Sequence, residues 1–200
     1  DLARVGQMLL GRGRRGDTRR LDTASVKRME TPQTSLAARE GLEAGYGLGN
    51  RRSPEGGFVY QGHGGAIDGF VARYGYLPDR DRGYVVMLNG QDGGARSQIQ
   101  DLVQGYQTRS LDPPEPPPVA DVSPDTLARR AGYYVSFTPR NEIGRFAEQL
   151  LGIVKVDTTA RGLTASPALG AADTLLPVDA KRFRAPSEPV ATAVFARDRS

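Results

Sequence analysis

Cysteine is absent from the 200 residues, which excludes disulfides, thiolate nucleophiles and cysteine-based zinc sites together. The same absence does not fix the compartment. Histidine occurs once, at His63, and lysine only at Lys27, Lys155 and Lys181. Asp68, Asp79 and Asp81 therefore have no second imidazole to join them as metal ligands, and the last two flank a turn, so no metal and no cofactor is expected. No apolar run approaches the roughly 18 residues that a membrane helix needs. The opening Asp1-Leu2-Ala3-Arg4 lacks the basic-then-apolar order of an export signal, so such a signal is either lacking or already removed.

What is present fits an ordinary core: 38% hydrophobic residues are enough for one large domain or two small ones. The net charge of +4 lies wholly in residues 1–110, with 16 basic against 12 acidic side chains, and residues 111–200 balance at 11 of each. Its densest part, Arg12 to Arg20, offers cations for phosphates or an anionic surface. Glycine-rich and without interleaved aromatics, it is read instead as a solvated loop, and no nucleic acid is expected as a partner.

Leu2, Val5, Met8 and Leu9 recur at helical spacing, so residues 1–10 predict an amphipathic helix stopped by Gly11 and Gly13. An uncapped apolar helix at the start implies further chain upstream. A second helix is expected over Thr23–Glu30, capped by Asp22 or Thr23, with Val26 and Met29 inward. Strands follow at 44–50, 57–62, 69–78 and 83–90, the last two joined through a turn at 78–81. Tyr84, Val86 and Leu88 alternate with Val85 and Met87, which predicts a central strand covered on both faces. A helix over Ala95–Thr108 carries Ile99, Leu102, Val103 and Tyr106 on one stripe. Helices around an antiparallel hairpin give an α+β layer.

Five prolines between Leu111 and Ala120 predict a stiff linker that cannot pair in a sheet, and a domain boundary. Beyond it, short strands near 131–140, 152–159, 161–169, 173–179, 181–186 and 191–198 surround one helical stretch at 141–151. Residues 121–200 thus read as a small β-rich, open-barrel domain, truncated on its last strand. Tyr133, Tyr134, Phe137 and Phe146 either line a pocket there or pack its core.

The segment Gly62-His63-Gly64-Gly65-Ala66-Ile67-Asp68-Gly69-Phe70, between two predicted strands, sets the one imidazole in bare backbone. Such backbone lets a ligand approach main-chain N–H groups, to hold an oxyanion or to dock as an added strand. It equally describes glycines at a β-turn with a histidine among them. The residues alone leave both readings open.

In order, the apolar helix, Ser25-Val26-Lys27-Arg28-Met29, Tyr46-Gly47-Leu48-Gly49, the His63 segment and Gly83-Tyr84-Val85-Val86-Met87-Leu88 resemble the C-terminal half of the β-lactamase-related serine hydrolases. That family includes class C β-lactamases, D-amino-acid peptidases and family VIII-type esterases. The resemblance covers residues 1–110. It implies that His63 stands for the basic residue of a Lys-Thr-Gly or His-x-Gly triplet, with Gly64 and Gly65 completing it and Ala66 giving an oxyanion N–H. It also implies a penicillin-binding-like antiparallel sheet, a small-molecule or peptide substrate and a periplasmic or extracellular location. Residues 121–200 more loosely resemble the β-rich domains appended to some members.

Two motifs of the family are missing. The residues three before the lysines are Ala24, Gly152 and Val178, so no Ser-x-x-Lys occurs, and no tyrosine has asparagine two places on. No Gly-x-Ser-x-Gly elbow replaces them. The expectation is a hydrolase fragment without its nucleophile, inactive alone. Histidine, with an unperturbed pKa near ~6.5, is not a permanent cation, which favours peptide or ester substrates over β-lactams. The alternative is a non-catalytic binding or scaffold protein on the same sheet.

Overall fold

A computed structural model of the protein describes residues 1–135 and 152–196. The expected helix at 141–151, Phe137 and Phe146 lie outside the described residues. The chain is α+β, with antiparallel sheets and flanking helices. It divides into two compact units: Asp1–Thr34 with Ala44–Pro114, and Ser35–Glu43 with Glu115–Ser200.

The first unit opens with helix α1 (Leu2–Leu10), a short hairpin of β1 (Arg14–Arg15) and β2 (Thr18–Arg19), and helix α2 (Thr23–Glu30). Asp22 caps α2, its Oδ1 accepting from Ser25 N at 2.5 Å. After the one-turn helix α3 (Leu36–Arg39), which belongs to the second unit, come β3 (Gly45–Tyr46), β4 (Arg51–Glu55), β5 (Phe58–Ile67), β6 (Phe70–Leu77) and β7 (Arg82–Leu88). They pair antiparallel in chain order, and helix α4 (Gly93–Thr108) follows.

Strand alternation gives the sheet two apolar faces. On one, Phe58, Tyr60, Leu77, Tyr84 and Val86 pack with Val103 of α4 and with Leu111. On the other, Tyr74, Tyr76 and Val85 meet Leu9 of α1 and Val26 of α2. Strand β7 is therefore covered on the face of Tyr84 and Val86 and, at Val85, on the other, whereas Met87 on that second face is 66% exposed, so the cover its composition predicts is incomplete. Nor is the strand central: among the described residues it is the edge of the five-stranded sheet, and the chain turns from it into α4.

Helix α4 forms where expected but presents a different side. Gln100 and Gln104 are buried, whereas Ile99, Leu102 and Tyr106 are exposed. The two amides turn inward because acceptors await them there. Gln100 Nε2 and Gln104 Nε2 donate to Glu55 Oε2 at 2.9 and 2.7 Å, and Gln104 also reaches Tyr84 Oη at 3.0 Å. Arg73 completes the cluster by pairing with Glu55. A polar network thus overrides the hydrophobic stripe in choosing the inner face.

Burial also holds tyrosines of this sheet in the phenol form. Tyr60 is pushed up to about 12, chiefly by desolvation and then by Tyr84 and Glu55, and Tyr76 is raised by burial and by the Glu30 carboxylate. A raised folded-state value means the folded chain binds more protons above pH ~10, so this stability is complete below that pH and lost as pH climbs. Ultraviolet titration is expected to show tyrosinate forming in an early group and in a late group that appears only with loss of the first unit's fold. A single smooth step at the ordinary phenol value, with structure intact, would contradict these environments.

In the second unit, Ser123 caps the short helix α5 (Pro124–Ala128). A six-stranded antiparallel sheet follows, built from β8 (Gly132–Tyr134), β9 (Val154–Thr159), β10 (Gly162–Pro167), β11 (Asp173–Pro177), β12 (Arg182–Arg184) and β13 (Ala193–Val194). It curls into a half-barrel, the open form its strand pattern predicts. Leu127, Val156, Leu163, Leu175 and Phe183 make its core, with the rings of Tyr134 and Phe195 in tilted contact, centroids 4.8 Å apart. Tyr133 is 76% exposed and so is no part of that core; it stands at the rim of a cavity on this sheet, which Tyr134 also lines.

Two local departures concern this unit. Segment 35–43, early in the sequence, packs here, with Lys181 Nζ 3.3 Å from Glu40 Oε2. The proline run is not a free spacer over its second half: buried Arg184 donates to Pro117 O at 2.7 and 3.1 Å, and Ala120 N donates to Pro177 O. Proline carbonyls lacking a ladder partner find a guanidinium instead.

Candidate functional site

His63 lies on β5, and so do Gly64, Gly65 and Ala66. The glycines are not at a turn; the reversal comes later, at Asp68-Gly69, where Gly69 adopts φ 81°. Of the two readings left open by the sequence, the turn is thus removed. The four residues follow one another along one strand, facing Tyr74, Arg73, Ala72 and Val71 of β6.

What distinguishes this stretch is an offset in pairing. Strand β4 accompanies β5 from Phe58 to Gly62 and stops, whereas β6 accompanies it from Gln61 to Ile67. From His63 to Ile67 the strand therefore has a neighbour on one side and a notch on the other. Gly64, Gly65, Ala66 and Ile67 are exposed there, and His63 is half-buried. Backbone groups on such an edge are a template for an extended partner.

The glycines differ in what they do. A Cβ on Gly62 would lie 2.2 Å from Tyr74 O, so that glycine serves sheet packing. At Gly64 the nearest atom, Ala72 O, is 3.3 Å away, a tight fit. At Gly65 nothing lies within 4 Å. The chain's own packing gives no reason for the missing side chain at Gly65.

Tyr46 of β3 meets the imidazole edge-on, ring centroids 5.6 Å apart at 86°, and forms one end of the notch. Sequence reasoning missed this partner, although Tyr46 stands in a segment it read as a strand. It missed also the apolar continuation of the same face: Ile67, opposite Phe70, and Met87, opposite Ala72, are 72%, 56% and 66% exposed for Ile67, Phe70 and Met87 respectively. The alternation of β5 carries the signal, since Ile67 shares the parity of His63 and Gly65.

Below His63 on this face the sheet is anchored by a buried charge. Arg12 Nη1 donates to both oxygens of Glu30, at 2.6 and 2.8 Å, and Tyr76 Oη donates to Glu30 Oε1 at 2.9 Å. Asn50 Nδ2 donates to Tyr76 Oη at 2.8 Å, and Gln61 Nε2 to Glu30 O at 3.3 Å. These bonds tie α2 and the loop after α1 to the part of β5 that leads into the notch. Among the described residues no three His, Asp or Glu side chains gather as metal ligands.

No protein-family model and no curated protein matches the chain. Among solved structures, SurE and SurE with D-Leu are each 22% identical, matching 83% of this chain and 35% and 36% of theirs, with TM-scores of 0.37 and 0.38. The octameric penicillin-binding protein homologue from Pyrococcus abyssi is 15% identical over 95% of this chain and 40% of its own, with a TM-score of 0.37. The chain thus spans between a third and two fifths of the length of these structures.

Proposed function

We propose that the first unit is the substrate-docking wall of a serine acyl-hydrolase of the β-lactamase-related kind, acting on peptide or ester bonds. The observation that supports this reading is the notch of β5, where His63 stands beside an open, exposed strand edge whose Gly65 meets no atom of the chain. A substrate strand laid in the notch is held by main-chain hydrogen bonds, and Gly65 lets it approach closely. The imidazole stands at one end of that strand, where it can donate to a substrate carboxylate or to the proton-accepting group of the nucleophile. An N–H of Ala66 would help hold the oxyanion.

The wall is only part of the apparatus. Acylation needs a serine hydroxyl that gives its proton to a base, attacks the carbonyl carbon and expels the leaving group; water then hydrolyses the ester. These 200 residues hold no Ser-x-x-Lys to do so, so the reading requires that motif elsewhere in a longer chain. A fluorophosphonate probe offered to the full-length protein is expected to label a serine followed by Lys three places on, and to leave residues 1–200 unlabelled. A full-length protein without such a serine, or unreactive with the probe, would instead make the sheet a binding scaffold.

A further inference from the structure

We infer that the half-barrel of the second unit is itself a binding site, for a small uncharged ligand with an extended aliphatic or aryl-aliphatic body. This does not depend on the hydrolase reading. A cavity of about 770 Å3 opens on the concave face of the sheet, within the range of pockets that take small molecules. Its wall is built by strand alternation: Val154 and Val156 of β9, Ala165 of β10 and Leu175 of β11 project to the same side. Tyr134, Phe195 and, from segment 35–43, Leu36 and Leu42 complete it.

Charge decides the ligand class. Among the described residues, no Arg, Lys, Asp or Glu lines the cavity. Two of the polar side chains on its wall are already engaged: Tyr134 Oη donates to Arg130 O at 2.8 Å, and Thr192 Oγ1 donates to Glu188 Oε2 at 2.5 Å, while the Tyr133 phenol stands at the exposed rim. A carboxylate, phosphate or ammonium drawn against the described lining would lose its water and meet no counter-charge from it, a penalty that an uncharged chain avoids. Large apolar walls, by contrast, reward burial of hydrocarbon in proportion to area. The small residues Ala165 and Ala193 keep the space open where larger side chains would fill it.

The chain has no tryptophan, so a single Tyr133→Trp change at the exposed rim gives a clean reporter. The 200-residue protein carrying it is titrated with N-phenylnaphthylamine, an uncharged fluorophore, and then with 1-dodecanol and with dodecanoate as competitors. The expected result is saturable one-to-one binding with energy transfer from the indole, displaced by the alcohol at concentrations at least tenfold below those needed for the anion. Ala193→Phe and Ala165→Leu, each checked for an unchanged melting curve, should weaken binding tenfold or more. Leu102→Gln, which alters the exposed face of α4 in the first unit, should leave it unchanged. Absence of saturable binding, equal displacement by dodecanoate, or binding that survives both filled variants while Leu102→Gln removes it would each overturn the inference.

Discussion

Arg12→Ala is expected to cost the first unit about 3 kcal/mol, at the lower end of the loss usual when one partner of a buried ion pair is removed. The lower end applies because the Arg12 side chain is itself 33% exposed, while that of Glu30 is 9% exposed. The substitution leaves Glu30 with the Tyr76 hydroxyl, far from what a buried carboxylate requires. Arg12 sits at φ 54°, and alanine inherits that backbone cost, so the loss reports the interaction and not the turn. Glu30→Gln should cost less, since the guanidinium left behind can turn to water. The double variant should be more stable than the two losses added together predict. Because the chain has two units, the measurement is native-state hydrogen exchange at the Tyr74, Gly75 and Tyr76 amides, not one global melting curve. A loss for Arg12→Ala below about 1 kcal/mol would place the pair with ordinary surface ion pairs.

The second large effect belongs to the notch. In the full-length enzyme that the proposed function requires, His63→Ala should lower kcat/KM about 10²-fold or more, the scale of losing one donor aimed at developing charge. Gly65→Val is the companion. Its backbone lies outside the left-handed region and its side chain meets nothing of the chain, so stability should hardly change. A branched side chain projecting from the docking strand should nonetheless displace the substrate, and misplacement of about 1 Å costs on the order of 10²-fold. Both are read as steady-state kinetics on a nitrophenyl ester beside a melting curve. Normal turnover in His63→Ala would return the imidazole to a structural role. Normal turnover in Gly65→Val would close the notch as a docking site.

The hairpin of β6 and β7, helices α1 and α2 and the strands of the second unit follow directly from the period of their apolar residues. The failures have one physical source: periodicity reports which side chains are apolar, not which contacts they find. Strand β4 escaped because Pro54 and four polar or charged residues argue against a strand, yet Pro54 lies across from Val59 and Glu55 turns inward to Arg73. Helix α4 was turned over by two glutamines whose acceptors lie 45 and 49 residues away. Glu30 at the end of α2 shows nothing in the sequence of its pairing with an arginine on a loop 18 residues earlier. Of the site, His63 and its glycines were legible as exposed backbone chemistry. Their placement on a strand and the offset that frees its edge depend on where β4 stops, which no residue of the segment encodes.

That stopping point makes the notch a gauge. It is bounded by Arg51, the last β4 residue paired with β5, and by the Asp68-Gly69 reversal, and it exposes His63 to Ile67 between them. Five residues of strand measure about 17 Å at the usual rise. In the docking mode we propose, an extended ligand gains main-chain bonds only over that span. Each added residue should tighten its hold until the span is filled, after which longer ligands bind no better than shorter ones.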